Sequence, residues 1–176
     1  QAVVGADHEV HVSQARLHAA NQTIWGRSRY HQQSATVADL FAEAGLDHDP
    51  DLVAVAGDDG AVFVRDRVEV AGVGVAAHID VPRREQGEDA AVVSRALTAI
   101  GHDDPVNHPG SGPVAIGALP FDPHRPGRLV VPRIVVGCAD DGTRWVTTIS
   151  AADDPCTADE IDEAVARGLG TGTGFG

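Results

Sequence analysis

Apolar residues in this chain come mostly in short Val/Ile/Ala-rich runs punctuated by Gly, Pro and Asp, the spacing of strands and turns, while three stretches keep a helical period. Residues 1–35 mix Val-rich pieces with His, Gln and Asn and hold no sustained period, so no element is assigned there. Across residues 36–44, Val37, Leu40, Phe41 and Ala44 recur at i, i+3, i+4 and i+7 and Gly45 offers a stop, which predicts a short helix. An acidic linker, 47–51, leads to the run Leu52–Ala56, read as a strand, then to the turn GDDG at 57–60 and a partner strand over Ala61–Arg65. Arg65, Asp66 and Arg67 mark a reversal before one long strand over 68–79, giving an antiparallel meander. Gly72 and Gly74 interrupt that strand and predict a bulge or the close approach of another backbone, with Val73 and Val75 sharing a face.

A polar lead-in at 82–87 opens a second helix over 88–100, whose stripe is Val92, Val93, Ala96, Leu97 and Ile100. Residues 101–112 read as loop. The run 113–119 reads as a buried strand that Pro120 stops. Pro120, Pro123 and Pro126 then keep the chain out of any ladder until it re-enters at Leu129. In that turn Phe121 is expected to fold back over the strand end and Asp122 to close an Asx-type turn, a structural role. A strand over 129–136 tolerates Pro132 only at an edge or bulge. Asp140, Asp141 and Gly142 form a hairpin turn, and the strand 144–149 returns with Trp145, Thr147 and Ile149 on one face. Thr157, Ala158, Asp159 and Glu160 spell a capping box, so a third helix should run from there to about Arg167, with its early acids and late arginine matched to the helix dipole.

The string GALPFDPHRPGRLVVP, residues 117–132, resembles the segment that isochorismate synthases carry in their amino-terminal half. Upstream, FVRDRVEVAGVGVAAHID at 63–80 resembles the early hairpin of the same enzymes, and together the similarity covers about residues 40–150. The resemblance implies an α+β fold, mainly antiparallel sheet with packed helices, like the amino-terminal half of the chorismate-utilising enzymes. It implies a parent isomerase that converts chorismate to isochorismate with Mg2+, in menaquinone or siderophore supply. A salicylate or anthranilate synthase is the neighbouring reading, since the family shares the fold.

Composition changes that picture. All thirteen basic residues are arginine, so the lysine that activates water in the resembled enzymes has no counterpart. The family's acid and magnesium-binding glutamates lie in a carboxy-terminal half beyond the match, and no methionine opens the chain at Gln1. The expectation is therefore an amino-terminal fragment: 1–35 poorly defined, 36–168 the α+β half-domain, and 169–176 a Gly-rich tail serving as connector rather than phosphate loop. No catalytic, cofactor-binding or metal-ligating residue is assigned within it, and the chain alone is expected to be inactive. A non-catalytic binding or regulatory module is the competing class.

The net charge of −13 disfavours nucleic acid and anionic membranes as partners. Chorismate, a dianion, would need a local pocket of Arg, backbone N–H and metal. Cys138 and Cys156 are too few for a disulfide framework and read as reduced, partly buried thiols, with the cytoplasm as the default compartment. His8, His11 and His18 lack the one-turn spacing of a helical metal site and read as solvated, and the tripeptide Asn21-Gln22-Thr23 is read as a chance acceptor sequence. His78 and Asp80, two apart on a strand, read as a surface hydrogen bond rather than an acid/base pair. An unpaired half-sheet would expose an apolar edge and favour self-association.

Overall fold

The computed structural model describes residues 30–36, 49–81, 88–122 and 124–169. Its elements, in order, are β1 (Tyr30–Thr36), α1 (Leu52–Ala56), β2 (Ala61–Arg65), β3 (Val68–Val73), β4 (Ala77–Val81), α2 (Glu88–Thr98), β5 (Gly101–Asp103), β6 (Gly127–Val131), β7 (Ile134–Ala139), β8 (Arg144–Ala151) and α3 (Ala158–Gly168). The fold is α+β, with a mixed, mostly antiparallel sheet. Six strands lie in the order β2-β3-β7-β8-β1-β5, and β4 and β6 pair separately. Among the described strands only β1 and β5 run parallel.

The two sheets are one kinked ribbon. Strand β3 pairs with β7 in the large sheet while β4, its continuation, pairs with β6, which continues into β7. Both strands break at the same level, at 74–76 and at 132–133. There Ala76 N–H donates to Val131 O at 2.9 Å and Arg133 N–H to Val73 O at 3.1 Å. The glycines make this crossing fit. A Cβ on Gly72 would stand 2.6 Å from Pro132 Cγ, and Gly74 turns through φ +66 beside the Arg133 side chain. The single strands expected over 68–79 and 129–136 are therefore each two strands. The meander becomes a hairpin, β2–β3, plus this ribbon, and Val75 lies within the break, 51% exposed, while Val73 packs against the core.

One face of the large sheet is covered by α1 and α3. Ala71, Ile134, Val136, Cys138 and Val146 meet Leu52, Val55, Ile161, Ala164 and Val165 there. A fully buried valine such as Val55 or Val165 contributes about 1.5–3 kcal/mol by leaving water. The helices close on each other at Gly168, where a Cβ would stand 2.5 Å from Val55 Cγ2. The run Leu52–Ala56, expected as a strand, is helical because Asp51 caps it. One carboxylate oxygen accepts from Val53 and Ala54 N–H, each at 3.0 Å. The capping box expected at Thr157 is present in both halves, and α3 follows it.

On the opposite face two clusters form. Ile79, Val81, Leu129, Val131 and Ile149 pack with the stripe of α2, Val92, Val93, Ala96 and Leu97, as its period predicts. Val70, Val135, Ala139 and Trp145 pack under Val114 and Ile116. Trp145, Thr147 and Ile149 do share this face, and all three are fully buried.

Four further expectations are corrected. Tyr30–Thr36, all but its last residue inside the segment left undefined, is a strand paired along residues 145–151 of β8, seven register pairs long. Residues 101–112 open with the short strand β5. The run 113–119 is not a strand: it touches the ribbon through one bridge, Ile116 to Val130, with reciprocal bonds of 2.8 and 2.9 Å. Two prolines and three glycines between Gly110 and Pro120 keep it from pairing further. The helix expected over 36–44 starts at Thr36, which is instead the last residue of β1, and the rest of it, with the segments at 82–87 and 170–176, lies outside the described residues.

Candidate functional site

The densest polar constellation sits where residues 104–112 cross the buried face of β1 and β8. Register places Gln32 opposite Ile149 and Ser34 opposite Thr147, so the polar side chains of both strands point to the same loop. Gln32 Nε2–H donates to Ser111 O at 3.0 Å and Thr147 Oγ1–H donates to the same oxygen at 2.6 Å. Asp104 is the hub. It accepts from Ser34 Oγ at 2.5 Å, Ser111 Oγ at 2.7 Å and Asn107 N–H at 3.2 Å. Burial pushes the Asp104 carboxyl up, but the hydrogen bonds from Ser34, Ser111 and the backbone outweigh it and hold the group below the usual carboxylate range.

Such a carboxylate is a poor general base, because its lone pairs are already occupied and its proton affinity is lowered. The hub's effect is to hold a loop. His108 completes it: its ring lies against Trp145, centroids 5.2 Å apart, with Nε2 3.6 Å from Asp141 Oδ2. Trp145 Nε1–H reaches Gly110 O at 3.3 Å. Nothing in the chain's periodicity marks this hub. Its members are ordinary turn residues whose convergence depends on the register of β1, the strand that its polar composition concealed.

Beside this loop runs a groove of about 660 Å³, lined by Phe63, Val68, Val70, Val114 and Ile116, with Arg65 and Arg67 among its lining residues. It is the size of a small-molecule site, and its lining is largely apolar.

The turn at 117–127 closes as an Asx turn, as expected: Asp122 Oδ1 accepts from His124 N–H at 2.9 Å and Asp122 O from Arg125 N–H at 3.1 Å. Its two ends meet tightly, a Cβ on Gly127 standing 2.6 Å from Leu119 Cδ2. Phe121 does not fold back over the strand end and is fully exposed, because the Asx turn carries it outward.

Arg133, at the ribbon kink, is a structural cation. It donates to Glu160 Oε1 at 3.0 Å, Asp154 Oδ2 at 2.9 Å and Pro155 O at 3.0 Å, leaving its fork no room for a substrate carboxylate. His78 and Asp80 do share the exposed face of β4, but Asp80 accepts from Arg128 Nε–H at 2.6 Å. That ion pair replaces the hydrogen bond expected from His78. Cys138 and Cys156 are free thiols, and burial pushes both up to about 11.

Among the described residues no three His, Cys, Asp or Glu side chains converge to hold a metal ion. His8, His11, His18 and Asn21 lie outside the described residues. No described helix is long and apolar enough to cross a membrane. No protein-family model, curated protein or solved structure matches the chain.

Proposed function

We propose that this chain is scaffold from a chorismate-utilising enzyme of the isochorismate synthase kind, with the proton-transfer residues and the Mg2+ ligands carried by other polypeptide. One observation carries the reading: the string GALPFDPHRPGRLVVP, which forms the Asx turn and the strand β6. The α+β, mostly antiparallel architecture is compatible with the amino-terminal half of that fold. The polar residues of the hub are engaged with one another, and the chain has no lysine to serve as the water-activating base. The overall reaction adds water at one ring carbon while a neighbouring hydroxyl departs, and it needs a base, an acid and a divalent ion.

The test compares the purified 176-residue chain with the product of any longer reading frame that contains it, each given chorismate and Mg2+, with products separated by chromatography. The chain alone should leave chorismate untouched and the longer protein should release isochorismate. Turnover by the chain alone overturns the scaffold reading. Salicylate or anthranilate from the longer protein overturns the isochorismate assignment but keeps the family. A catalytically silent binding module is the second reading, favoured by the uncovered strand β2.

A further inference from the structure

Among the described strands β2 is the outermost of the large sheet on one side, pairing only with β3, and all five of its residues are exposed. Val62, Phe63 and Val64 stand 37%, 50% and 60% exposed in its middle. A free edge of this composition, with no proline, bulge or inward charge at its centre, is a template for another strand. Which backbone groups are free follows from the hairpin. Arg65 and Val68 close a two-residue reversal at Asp66 and Arg67, and the closing pair of such a hairpin is the hydrogen-bonded one. Alternation then directs the N–H and C=O of Val62 and Val64 away from β3, to the open side.

The flanking charges say which strand would fit. The chain enters β2 through Asp58 and Asp59 and leaves it through Arg65 and Arg67, so one end of the strand is acidic and the other basic. A strand with that polarity is complementary to itself when run antiparallel. We propose that β2 pairs with β2 of a second copy about a two-fold axis at Phe63, joining the two large sheets into one.

In this register Val62 exchanges both backbone bonds with Val64 of the second copy, and the two Phe63 rings meet at the axis. Arg67 faces Asp59 of the second copy, and Asp66 faces only Gly60. A register shifted by two residues toward the amino terminus would trade the Arg67–Asp59 pair for Arg65–Asp59 and add Asp66 against Asp58, a like-charge pair that the proposed register avoids. Arg67 is available for this: its contact with Asp140, at 3.4 Å, is between side chains 81% and 53% exposed and is easily exchanged. The pairing does not depend on the proposed function, because it rests on the strand's edge position and flanking charges alone.

Sedimentation of the 176-residue chain over a concentration series tests it. The wild type should show a monomer–dimer equilibrium. Phe63→Lys, which sets two ammonium groups together at the axis, should leave a monomer with unchanged circular dichroism. Arg67→Asp should weaken dimerisation by about tenfold or more, since the axis doubles each cross-strand charge pair. The exchange Asp59→Arg with Arg67→Asp should restore it. A wild type that stays monomeric at every concentration overturns the proposal. So does a dimer indifferent to Arg67→Asp, which would locate the contact elsewhere.

Discussion

The indole of Trp145 lies over the α-carbon of Gly137, its cross-strand partner in the β7–β8 hairpin. A methyl group on Gly137 would overlap Trp145 Cε2 and Cζ2, and the ring has nowhere to go. Trp145 is fully buried, its Nε1–H is tied to Gly110 O, and the His108 ring lies beside it. Gly137→Ala should therefore destabilise the fold by about 2–3 kcal/mol, the usual cost of overpacking a filled core. Urea denaturation checks it, and an unchanged midpoint would mean that the ring yields.

The hub under that ring makes a second prediction. Asp104→Leu removes the acceptor of the buried Ser34 hydroxyl and of Asn107 N–H, while Ser111 Oγ–H keeps His108 O at 2.7 Å. A loss of about 1–3 kcal/mol is expected for groups stranded in this way. Ser34→Ala alone should cost less, because Asp104 keeps Ser111 and Asn107 N–H. Equal costs would show that the hub does not act as a unit.

Glu160 gives the pH dependence. The Thr157 backbone N–H lowers its pKa from the ordinary 4.5, burial opposes this, and Arg133 lowers it further. A depressed carboxylate contributes stability above its unfolded value and loses it as pH falls through the folded one. The stability gap between wild type and Glu160→Gln should thus be full at neutral pH and shrink as pH drops below about 4.5. Urea midpoints from neutral to acid read it, and a gap constant with pH would remove the charge from the explanation.

Both thiols should resist alkylation while the chain is folded. Each is pushed up to about 11 by burial, so the thiolate fraction at pH 8 is far below that of an open cysteine. Iodoacetamide should label them readily only in denaturant. Fast labelling of the half-buried Cys156 in native buffer would contradict its placement behind Arg133.

What the residue pattern disclosed was whatever rests on local rules. The box Thr157 to Glu160 starts α3, the period of Val92 to Leu97 seats α2, and Asp140 to Gly142 turns the last hairpin. Leu52–Ala56 escaped because five apolar residues carry no period, although Asp51 ahead and Gly57 behind are the signals of a short capped helix. Strand β1 escaped for a different reason. YHQQSAT has the look of a loop, and only the loop at 104–112, far away in the chain, gives Gln32 and Ser34 partners that let them be buried. The hub could not be read before the register was known, since its members are separated by more than a hundred residues, from Gln32 to Thr147.

The shared kink in the ribbon has a mechanical meaning. Strands β3 and β7 pass together into β4 and β6, so the small sheet is no separate flap that could open on its own. Loosening Ile79 from Leu129 pulls on Val73 and Ile134 through only six and five peptide units, and the helices on the far face feel it next. The amides of the two sheets should consequently become accessible to deuterium together, as one cooperative body, rather than in succession.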